Sequence, residues 1–412
     1  LTKFVILVII ERTDWSVQKY PKERRGIRMG EALIVDAVRS AVGRARRGRL
    51  RYTRPDDMAA AVINALIERT GIDPAEVDDL KLGCAMPEAE QGMNVAKIIQ
   101  FLTKIPYNVP AVTLNRFCAS GLEAISSACY QVAFGDAELI IAGGVESMTK
   151  VPMGGFTPRP NPKLAAEYPE PYTPMGITAE NVALKYNISR KDQDEFACHS
   201  HGKAAKATKE GKFKEEILPL EVNINGKKII HDVDETIRPD TTLEALATLR
   251  PAFKEGGSVT AGNSSPLTDG AAVVLVVSKE KAKALGLKPV LKFISSASAG
   301  VPPEIMGMGP AAAVPKVLKK AKMSLKDMDL IELNEAFAAQ SVAVIRELKL
   351  EDSMDKINVS GGAIALGHPL GCSGARIATT LLYETKRRGA NLVLETMCIG
   401  GGQGSAAIFE RV

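Results

Sequence analysis

The pattern that most constrains this chain of 412 residues is a unit that occurs twice. Cys118 is followed 17 residues later by Gly135 and then by an apolar run at 139–142; Cys372 is followed 17 residues later by Gly389 and then by Leu392-Val393-Leu394. In both copies a Ser-Gly step opens a helical stretch, and glycines follow the apolar run, as Gly143-Gly144 and as Gly400-Gly401-Gly402. A glycine that ends a helix just before a short apolar strand is an α/β signal. Its recurrence points to one α/β unit used twice, with loops from both copies meeting at a shared site.

The rest of the chain from Glu31 keeps the same alternation of strand and helix, which predicts an α/β protein with helix-covered parallel sheets. Leu33-Ile34-Val35 reads as a strand. Thr53-Arg54-Pro55-Asp56 matches a capping box before an Ala-rich helix that stops at Gly71. A helix follows over 94–105, a strand over 111–114, a turn over 115–120 and a helix to about Phe134. Residues 148–174 carry seven prolines and no periodicity, which predicts a surface loop. Ser189-Arg190-Lys191-Asp192 caps a further helix to Gly211, and the alternation resumes at 271–277.

Composition excludes other classes. With 45% hydrophobic and 25% charged residues the chain is an ordinary globular protein, not a coiled coil or a disordered one. The net charge of +5 suggests a polyanionic partner. Yet residues 1–28 hold seven basic side chains against three acidic ones and account for most of it. That segment reads as an extension ahead of the working fold. Its apolar run at 4–10 is too short to span a bilayer, so no membrane span is expected. The arginine-rich run from Arg44 to Arg54 has one aromatic, Tyr52, and reads as a solvated loop, not a nucleic-acid site. No glycine-rich dinucleotide or nucleotide loop occurs. Six cysteines without metal-finger spacing predict a reduced, intracellular protein with no metal site.

Four stretches can carry chemistry. In Asn115-Arg116-Phe117-Cys118-Ala119-Ser120-Gly121 a cysteine precedes a helix, where unpaired N–H groups and the macrodipole would lower its pKa and favour thiolate; the bland alternative is a small buried cysteine. In the run Gly361 to Arg376, many glycines surround His368, a base able to activate a thiol; alternatively it merely caps a helix. Thr396-Met397-Cys398-Ile399-Gly400 puts a second thiol at a strand end before glycine N–H groups that could bind an oxyanion; a tight turn is the alternative. Asn334, after the strand 330–333, can hold a water or carbonyl, or serve as a helix cap. His199 and His201 point to different helix faces and make a poor metal pair, His231 reads as a surface residue, and Cys372 reads as a space filler.

Taken in order, the cysteine turn, Asn334-Glu335-Ala336-Phe337-Ala338, the Gly361–Arg376 run and Cys398-Ile399-Gly400-Gly401-Gly402-Gln403-Gly404 resemble the thiolase family, from about Met29 to Val412. The resemblance implies two similar α/β halves, each with a five-stranded sheet, in a five-layer α-β-α-β-α fold. The N-terminal half would be 29–147 with 268–289, the inserted loop domain 148–267, and the C-terminal half 290–412. It further implies Cys118 as acylated nucleophile, His368 as its base, Cys398 as acid and base at the α-carbon, Asn334 as holder of a water, and the N–H groups of Cys118 and Gly400 as oxyanion donors. By the same resemblance Arg238 and Leu249 would meet the adenine end of CoA, Phe253 and Ser265 the pantetheine arm, and Met175, Met306 and Phe337 the acyl group. CoA and acyl-CoA would be substrates, and no cofactor or metal would be needed.

Pro174-Met175-Gly176 stands where members dedicated to acetoacetyl-CoA tend to have His-Met-Gly, so the chain looks most like the 3-ketoacyl-CoA thiolases of fatty-acid β-oxidation. The short excursion before Pro174 implies a homodimer, with a tetramer as the alternative. The C-terminus is not a peroxisomal signal, and a cytoplasmic location is expected. The rival enzyme is an acetoacetyl-CoA thiolase condensing two acetyl-CoA. From a different class, a non-catalytic CoA- or lipid-binding homologue would be expected to lack one of Cys118, His368 or Cys398, and none is missing.

Overall fold

A computed structural model describes residues 30–412; the segment 1–28 read above as an extension lies outside the described residues. Five strands build the first half: β1 (Ala32–Ser40), β2 (Asp79–Gly83), β3 (Ala111–Leu114), β4 (Leu139–Ser147) and β5 (Thr268–Ser278), in the order β1-β5-β4-β2-β3. The second half repeats the order with β6 (Leu291–Gly300), β7 (Leu330–Leu333), β8 (Leu392–Ile399) and β9 (Gln403–Arg411), arranged β6-β9-β8-β7. Its fifth position is a single parallel bridge of Ile357 to Ile331 in place of a full strand. The halves join edge to edge through two residue pairs, Leu33 with Lys292 and Ile34 with Leu291.

Helices complete five layers. Helix α1 (Pro55–Thr70) and α2 (Val95–Phe101) cover the outer face of the first sheet, sharing an apolar core with β4 and β5. Helices α6 (Gly309–Ala321) and α7 (Ala338–Glu347) cover the outer face of the second. Between the sheets lie α3 (Ser120–Phe134) and α8 (Ser373–Arg388), the helices of the repeated unit, both ended by a glycine in the left-handed region, Gly135 (φ 85°) and Gly389 (φ 65°). The Ser-Gly step of the repeat has a packing cause. A Cβ on Gly121 would stand 2.7 Å from Ala375 N, and one on Gly374 would stand 2.3 Å from Leu122 N. Only glycine lets the two helix starts come this close, and that contact sets the loop of each half beside the other.

The capping box expected at Thr53 does not form. Helix α1 begins at Pro55 with Arg54 in the cap position and no side-chain cap, because Arg54 claims Asp56 through bonds of 2.8 and 2.9 Å. Proline at the first position needs no N–H partner, which removes part of the demand for a cap. The capping box at Ser189 is present, opening α5 (Arg190–Lys209), which follows α4 (Met175–Lys185) in the chain. The helix expected over 94–105 stops at Phe101.

The segment between β4 and β5 is fastened to β1 by a buried ion cluster. Arg39 donates from Nε to Glu216 (2.7 Å) and in a fork to both oxygens of Asp234 (2.8 and 2.9 Å), all three side chains being fully buried. Such a cluster holds two parts of the chain in fixed register at a desolvation cost that its hydrogen bonds must offset. Against expectation, His231 belongs to this buried region: its Nε2 lies 3.1 Å from the Ala41 carbonyl and the residue is fully enclosed. The antiparallel hairpin Leu220–Ile224 with Lys227–His231 folds its last residue inward against β1, which no local pattern announces. Among the described residues, no helix is long and apolar enough to cross a membrane.

Candidate active site

The cysteine turn is held by its own polar side chains. Asn115 Oδ1 accepts the Phe117 N–H (2.8 Å) while its Nδ2 donates to the Ala85 carbonyl (3.0 Å). Ser120 Oγ accepts the Arg116 N–H (2.8 Å) and donates to the Phe117 carbonyl (2.7 Å). These bonds keep Phe117 at φ 43°, a strained value for a residue with a side chain, and fold Phe117–Ala119 into a single 3-10 turn ahead of α3.

Cys118 is buried by this turn, and the expectation of a thiolate is overturned. Burial pushes its thiol up to about 11, outweighing the lowering effect of hydrogen bonds from the Gly400 N–H and its own N–H. Cys398, at the end of β8, is fully buried, and its thiol is pushed higher still by burial and by the proximity of Cys118. The two thiols therefore rest protonated, side by side.

The base is prepared to match. His368 Nδ1 lies 2.5 Å from Ser373 Oγ, which in turn donates to the Pro369 carbonyl (2.9 Å). With the serine proton so used, Nδ1 carries the imidazole hydrogen and Nε2 is left unprotonated, an acceptor. Burial, aided by the nearby Arg376 charge, lowers the imidazole to about 3, so it is neutral at physiological pH. Asn334 Nδ2 stands 3.4 Å from Nε2, and the buried Asn334 Oδ1 has no partner among the described residues. Asn334 is not a helix cap, since α7 begins at Ala338 with Phe337 in that position.

A neutral thiol beside a neutral imidazole makes a pH prediction. Inactivation by iodoacetamide at Cys118 is expected to keep accelerating from pH 7 through pH 9 without a plateau, because the thiolate fraction grows until the raised pKa is reached. A rate already flat below pH 7 would show a standing thiolate–imidazolium pair and overturn this picture.

Cys118 and His368 open onto a cavity of about 670 Å³. Cys118, His368 and Gly400 line it, as do Met175, Met306, Phe337, Phe253, Ser265 and Arg238. Phe253 and Phe337 meet edge to face, ring centroids 6.0 Å apart. Cys398 and Asn334 lie beneath this wall, and Leu249 packs behind it, against the core that carries Phe337. Of the residues that the resemblance assigns to the site, Leu249 is the one held apart from both the cavity and the thiol–imidazole cluster. Cys372 is a buried filler in the core between the sheets.

Two supporting residues went unread in the sequence. Ser373, which sets the imidazole tautomer, is five residues beyond His368, a spacing that a helix-start serine could have suggested. Glu146, fully buried at the end of β4, accepts from the N–H groups of Ala85 (2.7 Å) and Gly371 (2.8 Å) and from Gln91 Nε2 (2.7 Å). It thus ties the loop beneath Cys118 to the loop that carries His368; a lone glutamate in an apolar strand was the only signal. Among the described residues, no cluster of His, Cys, Asp and Glu could hold a metal ion.

Comparison with known proteins agrees with this geometry. Residues 32–280 match the family description "Thiolase, N-terminal domain" and residues 287–411 match "Thiolase, C-terminal domain". The 3-ketoacyl-CoA thiolase of Bacillus subtilis (strain 168) is 51% identical over 391 residues, 93% of this chain and 100% of the relative. That of Serratia proteamaculans (strain 568) is 49% identical over 388 residues, with 93% and 100% covered. The crystal structure of the Bacillus anthracis acetyl-CoA acetyltransferase superposes with a TM-score of 0.86 at 41% identity, covering 93% of this chain and 99% of that one. With both of its halves matched, and with Cys118 and His368 lining one cavity and Cys398 adjoining Cys118, this chain belongs to the thiolase family.

Proposed function

We propose that the protein cleaves 3-oxoacyl-CoA with CoA to give acetyl-CoA and a shortened acyl-CoA, in fatty-acid β-oxidation. The observation that carries this reading is the neutral imidazole of His368, its Nε2 unprotonated, in the cavity wall beside the adjoining thiols of Cys118 and Cys398. Nε2 takes the Cys118 proton as the sulfur attacks the 3-oxo carbon, whose oxyanion is held by the N–H groups of Cys118 and Gly400. The C2–C3 bond then breaks, and its electron pair leaves as the enolate of acetyl-CoA. The imidazolium N–H, together with Asn334, stabilises the enolate oxygen while Cys398 donates a proton to C2. The Cys398 thiolate next takes the proton of the incoming CoA thiol, CoA attacks the acyl-cysteine, and Cys118 leaves with the proton returned by His368.

The apolar wall supplied by Met175, Met306 and Phe337 favours an acyl group longer than acetyl, and relatives named 3-ketoacyl-CoA thiolase support the degradative direction. The likeness to an acetyl-CoA acetyltransferase keeps condensation of two acetyl-CoA as the second reading. A chain-length series separates them. Thiolysis of 3-oxohexanoyl-CoA and 3-oxodecanoyl-CoA is expected to match or exceed that of acetoacetyl-CoA in kcat/KM; a steep fall beyond four carbons would leave the acetoacetyl-CoA reading in its place.

We further infer a homodimer working in the cytoplasm, a setting supported by six free cysteines. Strand β3 is an open edge whose four residues are all half-buried, and Met93, Phe101 and Tyr107 are exposed near it at 88%, 59% and 80%. An apolar edge of this kind calls for a second copy paired across a two-fold axis. Light scattering is expected to give twice the chain mass of 44.0 kDa, and a tetramer would overturn the inference.

A further inference from the structure

Asn334 stands between the end of β7 at Leu333 and the start of α7 at Ala338, outside both elements. Its own side chain does little to hold it there. Oδ1 has no partner among the described residues, and Nδ2 reaches His368 Nε2 only at 3.4 Å. The Asn334 N–H donates to the Thr396 carbonyl (2.9 Å). The residues on either side are gripped by one amide, that of Asn358. Its Oδ1 accepts the Leu333 N–H, and its Nδ2 donates to the Leu333 carbonyl and to Glu335 Oε1, all three at 2.8 Å. These partners are an N–H and two oxygens, so only this orientation of the amide satisfies them, and only a side chain with both functions can serve. Asn358 is buried and sits at φ 45° beside the bridge of Ile357 to Ile331, with its N–H on the Ile331 carbonyl (3.0 Å). Asparagine is among the few residues with a side chain that take this backbone conformation readily.

Glu335 extends the grip to the histidine loop. Fully buried, it accepts at Oε2 from Ser200 Oγ of α5 (2.6 Å) and from the Ile364 N–H, four residues before His368 (3.2 Å). Ser200 Oγ in turn accepts the Gly362 N–H (3.2 Å). A Cβ on Gly362 would stand 2.2 Å from Glu335 Cδ, so glycine there admits the carboxylate. Its charged neighbours are Lys203 of α5, whose Nζ is taken up by the Met354 and Ile357 carbonyls, and Glu332 of β7, with Arg376 and Glu384 of α8 beyond it. A buried carboxylate is a costly way to join three segments that apolar packing could also hold. What it adds is direction, because each hydrogen bond fixes an angle as well as a distance.

We propose that Asn358 and Glu335 are positioning residues for carbon–carbon cleavage: together they set Asn334 against His368 Nε2, so that both side chains meet the enolate oxygen as the C2–C3 bond breaks. Donors placed before the charge develops need no reorganisation, and a misplacement of about 1 Å lowers a rate by as much as about 10²-fold. The assignment rests on the thiolysis proposed above.

Asn358→Asp is the informative variant. It keeps the oxygen that accepts the Leu333 N–H but sets a second carboxyl group against Glu335, a contact that holds only while a proton lies between the two. Such a pair binds its proton more tightly than a lone carboxyl does, so the contact is present at acid pH and lost as pH rises. For thiolysis of 3-oxohexanoyl-CoA, kcat of the variant relative to the unaltered protein is expected to fall about tenfold or more from pH 6 to pH 9, with KM within about threefold. Asn358→Asp/Glu335→Gln returns an N–H to the contact with its polarity reversed, and should bring kcat at pH 9 back to within about fivefold. Exchange of labelled CoA with hexanoyl-CoA calls on Cys118 and His368 but forms no enolate, and should stay within about threefold throughout. Equal loss of cleavage and exchange overturns the proposal, as does a loss independent of pH that the double variant leaves unrepaired. Should Asn358→Asp not fold, Ser200→Ala removes one bond to Glu335 and adds no charge. It is expected to show the same split, cleavage down about tenfold and exchange within about threefold, and equal loss overturns the proposal there too. A crystal structure of Asn358→Asp grown at pH 9 is expected to show Asn334 Nδ2 displaced from His368 Nε2 by about 1 Å or more, and an unmoved Asn334 overturns it. That geometry is read without turnover, so failure of the unaltered protein to cleave any 3-oxoacyl-CoA would sink the thiolysis reading while leaving the grip on Asn334 to be judged by position.

Discussion

Cys118→Ala is expected to lower thiolysis by four orders of magnitude or more, on the order of what loss of a covalent nucleophile costs in other acyl-transfer enzymes. The turn that presents the thiol depends on Asn115, Phe117 and Ser120, not on the sulfur, so the variant should fold and still bind acetoacetyl-CoA. Mass spectrometry after mixing with 3-oxoacyl-CoA should show an acyl adduct on the unaltered chain and none on the variant. Residual thiolysis above a hundredth of the original rate would refute covalent catalysis at this position. Because the thiol is held neutral by burial, its reactivity depends on the base beside it. His368→Ala should accordingly weaken adduct formation at pH 7 and recover part of it at pH 10.

Cys398→Ala is expected to split the reaction. Cleavage of the carbon–carbon bond needs a proton delivered to the departing α-carbon, and its loss should cost about 10²–10⁴-fold in rate. Exchange of labelled CoA with a saturated acyl-CoA forms and breaks the same acyl-cysteine without touching that carbon. In exchange Cys398 never gives up its proton. The one that His368 takes from Cys118 can pass to the departing CoA sulfur and be recovered from the incoming one, so exchange should persist within about tenfold of the unaltered protein. If both activities fell together, Cys398 would be acting on the Cys118 nucleophile itself, and the division of labour proposed for the two thiols would fail. Substitution alone can make this distinction, since alanine removes one buried sulfur from beneath the cavity wall and leaves Gly400 to line the site as before.

The parts of the molecule that are legible in the sequence are those where geometry demands one residue type. Gly135 and Gly389 end their helices in the left-handed region, and Gly121 with Gly374 permits two helices to touch, so the repeated unit shows in the order of residues alone. The histidine and second-thiol loops are legible for the same reason, being bordered by glycines that few other roles explain. What escapes is whatever depends on long-range burial. Helix-start chemistry at Cys118 argues for a thiolate, yet the surrounding layers desolvate the sulfur more than two N–H groups can offset. His231 sits on a polar hairpin and is buried only because β1 lies against it. Thr53 loses its capping role to an arginine–aspartate pair one residue on.

Strand β5 has all eleven residues buried and pairs with β1 on one side and β4 on the other, although residues 148–267 separate it from β4 along the chain. A nascent chain therefore makes four of the five strands of its first sheet long before it makes the one that joins β1 to β4. Until residue 278 has left the ribosome, β1 and β4 present unpaired edges facing a gap, the condition under which sheets recruit foreign strands. The second half has no such delay, since its strands follow one another from Leu291 to Arg411. The insertion that supplies Arg238, Phe253 and Ser265 to the cavity thus carries a kinetic burden: the half bearing Cys118 closes late and through contacts distant in sequence. Arrested chains ending before Thr268 should aggregate more readily than full-length protein.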